Sequence, residues 1–512
     1  KMRQAMNTEG RKGLKTRGSA DISYLGRYVD EMIWEFMEKR GIPGLTLAIV
    51  QAPYIPRVAG YGFSSAKERR LASVNTMWPA GPISQAFAAV ALMQLHERGA
   101  LNVEERAAKY LPELPAAWNG ITLLELLRHA SGIADYHKRQ GWNAAEGFDF
   151  TKAVTLVKDI PLAFAPGSGV ELSATNFAIL TEVIERVSGM GYHAFVKKNQ
   201  IDFLGLRRTA FAEELDEFPQ EDVSLTGNVH ERFKKDPLRI DPAETAASYG
   251  ADGEKIAPEA VSSLRGFSDV WASAQDISFW DIGLASTALI GRAENKALVY
   301  SPWKLPGGEI VPAVAGWHFY GHRGLMDIKG SVPGYSSFLS RFTDASELVC
   351  VTLMANREGV DFTNLGRRIA AAFGGTIATN YDDGRLFLYE GQFSVEESAA
   401  RLERELKKRG IPLFAKFDHR KNAEEVGMEL RPTTVLVFGS PKVGTNLMLA
   451  DQSISLDLPL RISIWEDEKG CTWLAFPRME LLASAYGLED HPVTGRIEAL
   501  LEELTVAAGS VY

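Results

Sequence analysis

The stretch NTMWPAGPISQAFAAVALMQLHERGAL, residues 75–101, carries the clearest structural signal in the chain. Apolar residues recur at helical spacing from Pro82 to about Arg98, and Gly99 ends the pattern. Proline suits the first turn of a helix, because the N–H that it lacks would find no acceptor there and its fixed φ already matches the helix. The stretch therefore predicts a helix that begins at Pro82.

Other segments of the same half of the chain predict a strand, a second helix and a strand pair. GIPGLTLAIVQ, residues 41–51, has the pattern of a strand after a Pro-Gly turn. Residues 181–189, TEVIERVSG, continue an amphipathic helix. GYSSFLSRF (334–342) and ELVCVTLMANR (347–357) predict an antiparallel pair of core strands. Together these elements indicate an α+β fold.

Length, composition and charge limit the classes of protein to be considered. A chain of 512 residues predicts two to four domains. With 46% hydrophobic residues and a net charge of −9, it has the composition of a globular protein and no general attraction to nucleic acid or anionic membranes. Residues 1–19 are basic without the apolar core of a secretory signal, and no run predicts a membrane span. We therefore expect a cytoplasmic protein.

The pattern of the sequence changes near residues 376–392, where we place a domain boundary. Residues 393–410 then predict a helix, with Ser394 and Glu397 at capping-box spacing. Four short β-branched and aromatic runs follow, which predicts a small sheet with helices on one face. We expect Asp418 to cap the helix after the first of these runs. The two cysteines lie far apart in apolar runs and are expected to be buried free thiols.

Three segments carry a family resemblance over roughly the first 370 residues. They are ITLLELLRHASGIADY (121–136), PGSGVELSATNFAILTEVIERVSG (166–189) and IKGSVPGYSSF (328–338), the last preceded by AGW at 315–317. Their order resembles the penicillin-binding protein and class C β-lactamase family of serine hydrolases. The resemblance implies an antiparallel sheet with helices and an all-helical subdomain.

The C-terminal segment carries a second resemblance. FDHRKNAEEVGMEL (417–430), FGSPKVGTNLM (438–448) and LPLRISIWED (458–467) resemble a small bacterial family, the domain of unknown function 302. This family implies a small α+β fold and no established chemistry. The predicted domains are a basic N-terminal arm (1–20), a β-lactamase-like domain (21–378), a linker (379–390) and the small α+β domain (391–512).

The first resemblance implies that the catalytic motifs have changed. It places Pro82 at the nucleophilic serine, Gln85 at the lysine, Leu172 at the tyrosine, Ala174 at the asparagine and Ile328 at the third-motif histidine or lysine. Proline also lacks the N–H that would help form the oxyanion hole, a donor worth about 3 kcal/mol in such enzymes. We predict that the site does not acylate, so penicillin hydrolysis and transpeptidation are absent. Single realignments that make Ser84, Asn176 or Lys329 catalytic stay open.

A site that has lost its polar triad favours a small hydrophobic or aromatic molecule. The expected ligand-binding residues are Pro82, Gln85, Leu172, Ala174, Ile328 and Ser331. Tyr136, His137 and Lys329 are the catalytic candidates, each with a structural alternative. Tyr136 could cap the cleft wall, His137 could be solvated, and Lys329 is expected to be exposed and to point away from Ile328. His129 is expected to be a structural hydrogen-bonding histidine.

Metal and cofactor chemistry are not expected. His318 and His322 are four residues apart, but their segment WHFYGHRG reads as a strand and a turn without further ligands at motif spacing. The expected partners are the small molecule and a second copy of the chain, paired through the C-terminal domain into a homodimer.

Three hypotheses for function follow. The first is a repurposed enzyme of isomerase, cyclase or lyase type that performs non-covalent chemistry in a secondary pathway. The second is a ligand-binding or scaffold pseudoenzyme. The third is a hydrolase or esterase that uses a nucleophile outside the usual motif.

Overall fold

The structure is a computed structural model that divides into two compact units. The N-terminal unit comprises Lys1–Pro306, Ala313–Trp317 and Met326–Gly375, and the C-terminal unit comprises Gly307–Pro312, His318–Leu325 and Thr376–Tyr512. The residues that the structure describes are 23–24, 27–51, 54–217, 244–250, 253–301, 303–307, 310–311, 313–314, 316–319, 325–343, 348–371, 386–468, 470–488 and 491–510. The predicted arm, residues 1–20, lies outside them.

Strands up to residue 355 form a large sheet and smaller ones. They are β1 Ser23–Tyr24, β2 Arg27–Tyr28, β3 Gly44–Gln51, β4 Tyr54–Ser65, β5 Arg70–Leu71, β6 Trp78–Pro79, β7 Thr209–Phe211, β8 Val270–Ala272, β9 Trp303–Lys304, β10 Ile310–Val311, β11 Ala313–Val314, β12 Trp317–Phe319, β13 Leu325–Val332, β14 Tyr335–Thr343 and β15 Leu348–Ala355. The eight-stranded sheet has the order β11-β12-β13-β14-β15-β3-β4-β5. The predicted strand pair is confirmed, because β14 and β15 pair antiparallel with Phe338 opposite Leu353.

The helices of this unit include a long buried helix at the predicted place. They are α1 Val29–Arg40, α2 Ile83–Glu97, α3 Leu123–Leu127, α4 Phe150–Thr155, α5 Ala174–Ser188, α6 Tyr192–Val196, α7 Asp202–Leu204, α8 Pro258–Val261, α9 Ala274–Ala285, α10 Ala293–Val299 and α11 Thr363–Ala371. Pro82, with a helical φ of −58°, directly precedes α2. Residues 80–208 hold helices and turns but no strand, which matches the expected helical subdomain.

Helices cover both faces of the large sheet. From α9, Ser278 is hydrogen-bonded to Thr352 of β15 at 2.8 Å. From α11, Gly366 lies so close to the ring of Phe338 that a Cβ there would be 2.3 Å from it. Thr352 is even-numbered in β15, whereas Phe338 is opposite odd-numbered Leu353, so the two helices lie on opposite faces. Side chains on either face of the central strands are therefore buried.

The C-terminal unit is a five-stranded antiparallel sheet with helices. Its elements are β16 Leu386–Gly391, α12 Val395–Lys408, β17 Leu413–Asp418, α13 His419–Glu425, β18 Thr433–Phe438, α14 Pro441–Ala450, β19 Leu460–Glu466, β20 Thr472–Pro477, α15 Met479–Ala485 and α16 Thr494–Gly509. The strand order is β16-β20-β19-β18-β17. Leu402 of α12 and Leu504 of α16 share one core with Leu436 and Ile464 of the sheet, whereas Leu388 and neighbouring side chains form a separate cluster.

Local expectations for this unit are confirmed, with one correction. The Ser394 hydroxyl accepts a hydrogen bond from the Glu397 N–H at the start of α12, and the Asp418 carboxylate caps α13. Cys471 of this unit and Cys350 of the N-terminal unit are both buried free thiols. The predicted linker, residues 379–390, is wrong at its end, because residues 386–390 belong to β16. Among the described residues, no helix combines the length and apolar character needed to cross a membrane.

Candidate functional site

Pro82 lies at the start of α2 and packs against strand β13. The residue is buried. A Cβ built on Gly330 of β13 would lie 2.6 Å from the Pro82 Cγ, and one built on Gly316 would lie 3.0 Å from the Pro82 carbonyl oxygen. The pyrrolidine ring thus fills the space between the helix and the backbone of β13. The position that the resemblance assigns to the nucleophile holds neither a hydroxyl nor an N–H.

Gln85, one turn later, belongs to a buried hydrogen-bond network around His129. The backbone N–H of Ser173 donates to His129 Nδ1 at 3.3 Å, and the Asn176 amide donates to the same nitrogen at 3.1 Å. Because a backbone N–H can only donate, Nδ1 is unprotonated and Nε2 carries the proton. Nε2 then donates to Gln85 Oε1 at 2.9 Å. Asn176 Oδ1 in turn accepts from the Ser131 hydroxyl at 2.6 Å.

The network keeps His129 neutral. Burial lowers the pKa of its imidazole to about 3, although Asp135 acts in the opposite direction. Both ring nitrogens are already in use, so an added proton would break the contact with Ser173 or Asn176. His129 is therefore a structural histidine, as expected from the sequence, and does not act as a base near neutral pH.

The three alternative catalytic residues are each held elsewhere. The Ser84 hydroxyl is buried and accepts a hydrogen bond from the Val270 N–H at 3.1 Å. Asn176 is committed to the His129 network. The Lys329 ammonium donates to the Thr363 hydroxyl at 2.8 Å on the α11 side of the sheet. None of the three meets the others at a common point.

Strand β13 separates two groups of predicted site residues. Gly330 faces Pro82, and Val332 lies 3.6 Å from a Cβ built on Gly81 just before the helix. Ile328 shares their face by alternation, whereas Lys329 and Ser331 project from the other. The Ser331 hydroxyl bonds to that of Ser336 at 2.8 Å and accepts from the Gly359 N–H at 2.9 Å. The side chain of Ser331 is thus not part of the Pro82 site.

Lys329 points away from Ile328 as expected, but the expectation that it is exposed is wrong. Its side chain is 8% exposed and lies 3.4 Å from the Asp361 carboxylate. The ammonium lowers the pKa of Asp361, against the effect of burial on that carboxyl group. The reason is that α11 covers the part of this face where Lys329 lies, and the Thr363 hydroxyl of α11 accepts a hydrogen bond from the ammonium. Lys329 serves this ion pair and does not reach Pro82.

Tyr136 and His137 are adjacent but differently placed. Tyr136 is buried, with its ring edge-on to Trp142 at 4.5 Å, and burial raises the pKa of its phenol far above the usual range. His137 is partly exposed, with 31% of its side chain accessible, and its Nδ1 lies 2.6 Å from the buried Asp135 carboxylate. Of the three predicted catalytic candidates, only His137 has a partly exposed side chain that a carboxylate orients, which is the geometry of an acid–base residue. Asp135 was not predicted, although it lies only two residues before His137 and its carboxylate caps the 3-10 turn Tyr136–Lys138. A capping aspartate directly before the turn is the local signal that could have identified it.

The six expected ligand-binding residues differ in accessibility. Pro82, Gln85, Ala174 and Ile328 are buried, Leu172 is half-buried, and Ser331 is exposed on the other face. Apart from Ser331, Leu172 is therefore the one expected ligand-binding residue that is not buried. Described residues form no cluster of three or more His, Cys, Asp or Glu side chains suited to a metal. His318 is buried with Nδ1 against the Gln392 amide, and His322 lies outside the described residues.

Known proteins match both parts of the chain. The family model "Beta-lactamase" matches residues 29–374, and "Domain of unknown function DUF302" matches residues 389–504. Penicillin-binding protein 4* of Bacillus subtilis is 25% identical over 304 residues, which cover 56% of this chain and 62% of that protein. Fluoride-specific ion channel FluC 1 of Brucella suis is 34% identical over 163 residues, 31% of this chain and 63% of that protein. The chain thus spans about three fifths of the length of these two curated relatives.

A solved structure agrees with this assignment of the fold. The octameric penicillin-binding protein homologue from Pyrococcus abyssi superposes with a TM-score of 0.54 at 15% identity, over 87% of this chain and 99% of that one. At this identity the likeness concerns the fold alone. The Beta-lactamase model, however, matches more than half of the chain. The chain therefore belongs to the Beta-lactamase family and carries a DUF302 domain after its Beta-lactamase domain.

Proposed function

We propose that this protein is a non-acylating member of its family that recognises a small hydrophobic or aromatic molecule without covalent chemistry. The observation that carries the proposal is Pro82, buried at the first turn of α2 with its ring against Gly330. An acyl-enzyme needs a nucleophile at this point and an N–H to stabilise the oxyanion. Proline supplies neither.

The surroundings of Pro82 support the same proposal. Gln85 carries an amide in the lysine position and is tied to a neutral His129. Neither group can take a proton from a nucleophile near neutral pH. The half-buried Leu172 directly precedes Ser173, whose N–H donates to His129, and would offer the ligand an apolar contact.

The experiment is incubation of the full chain with a fluorophosphonate, a chromogenic cephalosporin and nitrophenyl esters, followed by intact-mass analysis. We expect no covalent adduct and no turnover. A Leu172→Asp variant then tests recognition, because a charge that the bound ligand would cover should abolish the thermal stabilisation produced by aromatic ligands found in a screen. An adduct on the native chain would refute the proposal and favour a hydrolase with another nucleophile.

A second candidate function is non-covalent acid–base catalysis of isomerase, cyclase or lyase type. The observation that favours it is the Asp135–His137 pair, with a carboxylate 2.6 Å from a partly exposed imidazole. We expect His137→Gln to remove any turnover of a bound ligand while leaving its binding intact. If the variant turns over the ligand at the native rate, this candidate is wrong.

We also propose that the C-terminal domain forms the contact of a homodimer. The edge strand β17 exposes Phe414 by 51% and Phe417 by 47%, and Met428 further on is exposed by 65%. Exposed apolar side chains on an edge strand favour pairing with another chain. Sedimentation of the full chain should give a dimer, and Phe417→Asp should give a monomer. A native chain that stays monomeric over the accessible concentration range would refute the dimer.

A further inference from the structure

A cavity of about 540 Å³ lies at the C-terminal end of α2. Its wall combines the last turn of α2 with two segments distant in sequence, residues 198–203 and 288–292. Arg98 follows Pro82 by 16 residues, which corresponds to about 24 Å along a helix. The volume falls in the range of small-molecule sites. The cavity is thus separate from the Pro82 position.

Hydrogen bonds between the three segments hold the walls of this cavity in place. The Glu97 carboxylate accepts from the N–H groups of Gly291 at 3.0 Å and Arg292 at 2.8 Å, and the resulting hydrogen bonds hold its pKa below the usual value although burial opposes this. The Arg98 guanidinium donates to Asn199 Oδ1 at 2.7 Å. The loop and the helix turn are therefore fixed relative to α2, and Glu97 is saturated by its donors.

Three exposed cations line the cavity, namely Arg98, Lys198 and Arg292. Among the residues that the structure describes, none of the three forms an ion pair within 4 Å of a carboxylate, although the charge of Arg292 contributes to the lowered pKa of Glu97. The Arg98 guanidinium also lies 5.5 Å from the centre of the Phe195 ring. Glu97 is the one acidic side chain in the described lining. The lining thus has a net positive charge in a protein whose net charge is −9. Such a local field attracts anions.

The cavity lining also holds polar and apolar groups. Gln94 is only 8% exposed, its amide donates to Asn199 and Leu289 carbonyls, and its Oε1 has no hydrogen-bond partner in the described part of the chain. Lys198 and Asn199 lie on a π-helical turn, Lys197–Ile201, a rare form that often occurs at functional sites. The Phe203 ring is 61% exposed beside them.

We propose that this cavity binds a small organic acid with an aromatic or other apolar group. The carboxylate would interact with Arg98 and Lys198, and the apolar group would cover Phe203. This site is independent of the Pro82 region, so its failure leaves the proposed function untouched. The matched probes are phenylacetate, its neutral amide phenylacetamide, and acetate, which lacks the ring.

Isothermal titration of the full chain tests the proposal. We expect saturable binding of phenylacetate, with phenylacetamide and acetate each at least about tenfold weaker, since each lacks one of the two interactions. The double variant Arg98→Gln/Lys198→Gln should weaken phenylacetate binding by a factor of about ten or more. The double variant Arg139→Gln/Lys158→Gln makes the same change of net charge at residues outside the cavity lining and should leave the affinity unchanged.

Three results would overturn the inference. They are the absence of saturable phenylacetate binding, equal affinity for acetate, and an equal loss of affinity in the two double variants. The last would mean that bulk charge attracts the anion and that the cavity has no role.

Discussion

Replacement of Gly330 by alanine tests whether the Pro82 ring fills the space beside β13 as the structure has it. The new Cβ would lie 2.6 Å from the Pro82 Cγ and 3.4 Å from its Cδ. The first distance is about 1 Å shorter than a favourable carbon–carbon contact. Because the ring is rigid and buried between α2 and β13, the clash has to be relieved by moving one of these elements. Overpacking of this kind costs about 1–3 kcal/mol.

The second half of the test removes the ring. Pro82→Ala deletes Cγ and Cδ and leaves a Cβ that would lie 3.7 Å from the new methyl group, an ordinary contact. The double variant Pro82→Ala/Gly330→Ala should therefore lose less stability than the sum of its two single variants, with a coupling energy of about 1 kcal/mol or more. The control is Gly120→Ala, where a Cβ would meet nothing within 4 Å.

Differential scanning calorimetry of the full chain measures these effects, since it resolves the transitions of separate units. Gly330→Ala should lower the Tm of the N-terminal unit by several degrees, at about 2–4 °C per kcal/mol. Gly120→Ala should leave it nearly unchanged. If Gly330→Ala is as harmless as the control, or if the Pro82 and Gly330 effects simply add, the ring does not fill this space.

Three further predictions concern titration and capping. Burial opposes protonation of His193, but hydrogen bonds to Asp269 and Glu213 raise its pKa to about 9. The stabilisation from this group is complete below the ordinary pKa near 6.5 and is lost as pH rises through 9. His193→Gln should therefore flatten the pH dependence of Tm between pH 6.5 and 9. The pKa of His129 is lowered to about 3, so the NMR shifts of its ring should not change between pH 8 and 5. The protein should lose stability as pH falls from 6.5 toward 3, because the unfolded chain binds the proton before the folded chain does. Asp418→Ala should cost about 1 kcal/mol in the C-terminal transition, through loss of the α13 cap.

Much of the secondary structure could be predicted because helices, caps and adjacent strand pairs depend on residues that are close in sequence. The α2 helix follows from apolar spacing between Pro82 and Gly99, and the structure places it at Ile83–Glu97. The capping residue Ser394 acts within three positions of its partner. The pair β14 and β15 follows from two apolar runs joined by a short connection. In each case the residues that decide the element lie close together in sequence.

The burial of the Lys329 side chain could not be predicted from the pattern of its own strand, because a distant helix causes it. Alternation along β13 correctly predicts that Lys329 and Ile328 project to opposite faces. Whether either face is solvated depends on α11, which begins at Thr363, 34 residues later, and supplies the hydroxyl that the ammonium binds. The same applies to Ser331, whose hydroxyl lies beside the Gly359 backbone. A strand pattern predicts faces, but the covering layers come from tertiary packing.

The network around His129 also predicts that two substitutions would not make the Pro82 position reactive. Gln85→Lys would place a donor-only ammonium beside Nε2–H, which is itself a donor. The ring cannot change tautomer to accept this proton, because Nδ1 already faces the donors of Ser173 and Asn176. The ammonium would thus be buried without an acceptor, and its pKa would fall or the network would open. We therefore expect the double variant Pro82→Ser/Gln85→Lys to be destabilised and to form no adduct in the acylation assay. An adduct would mean that the region rearranges more readily than its buried contacts imply.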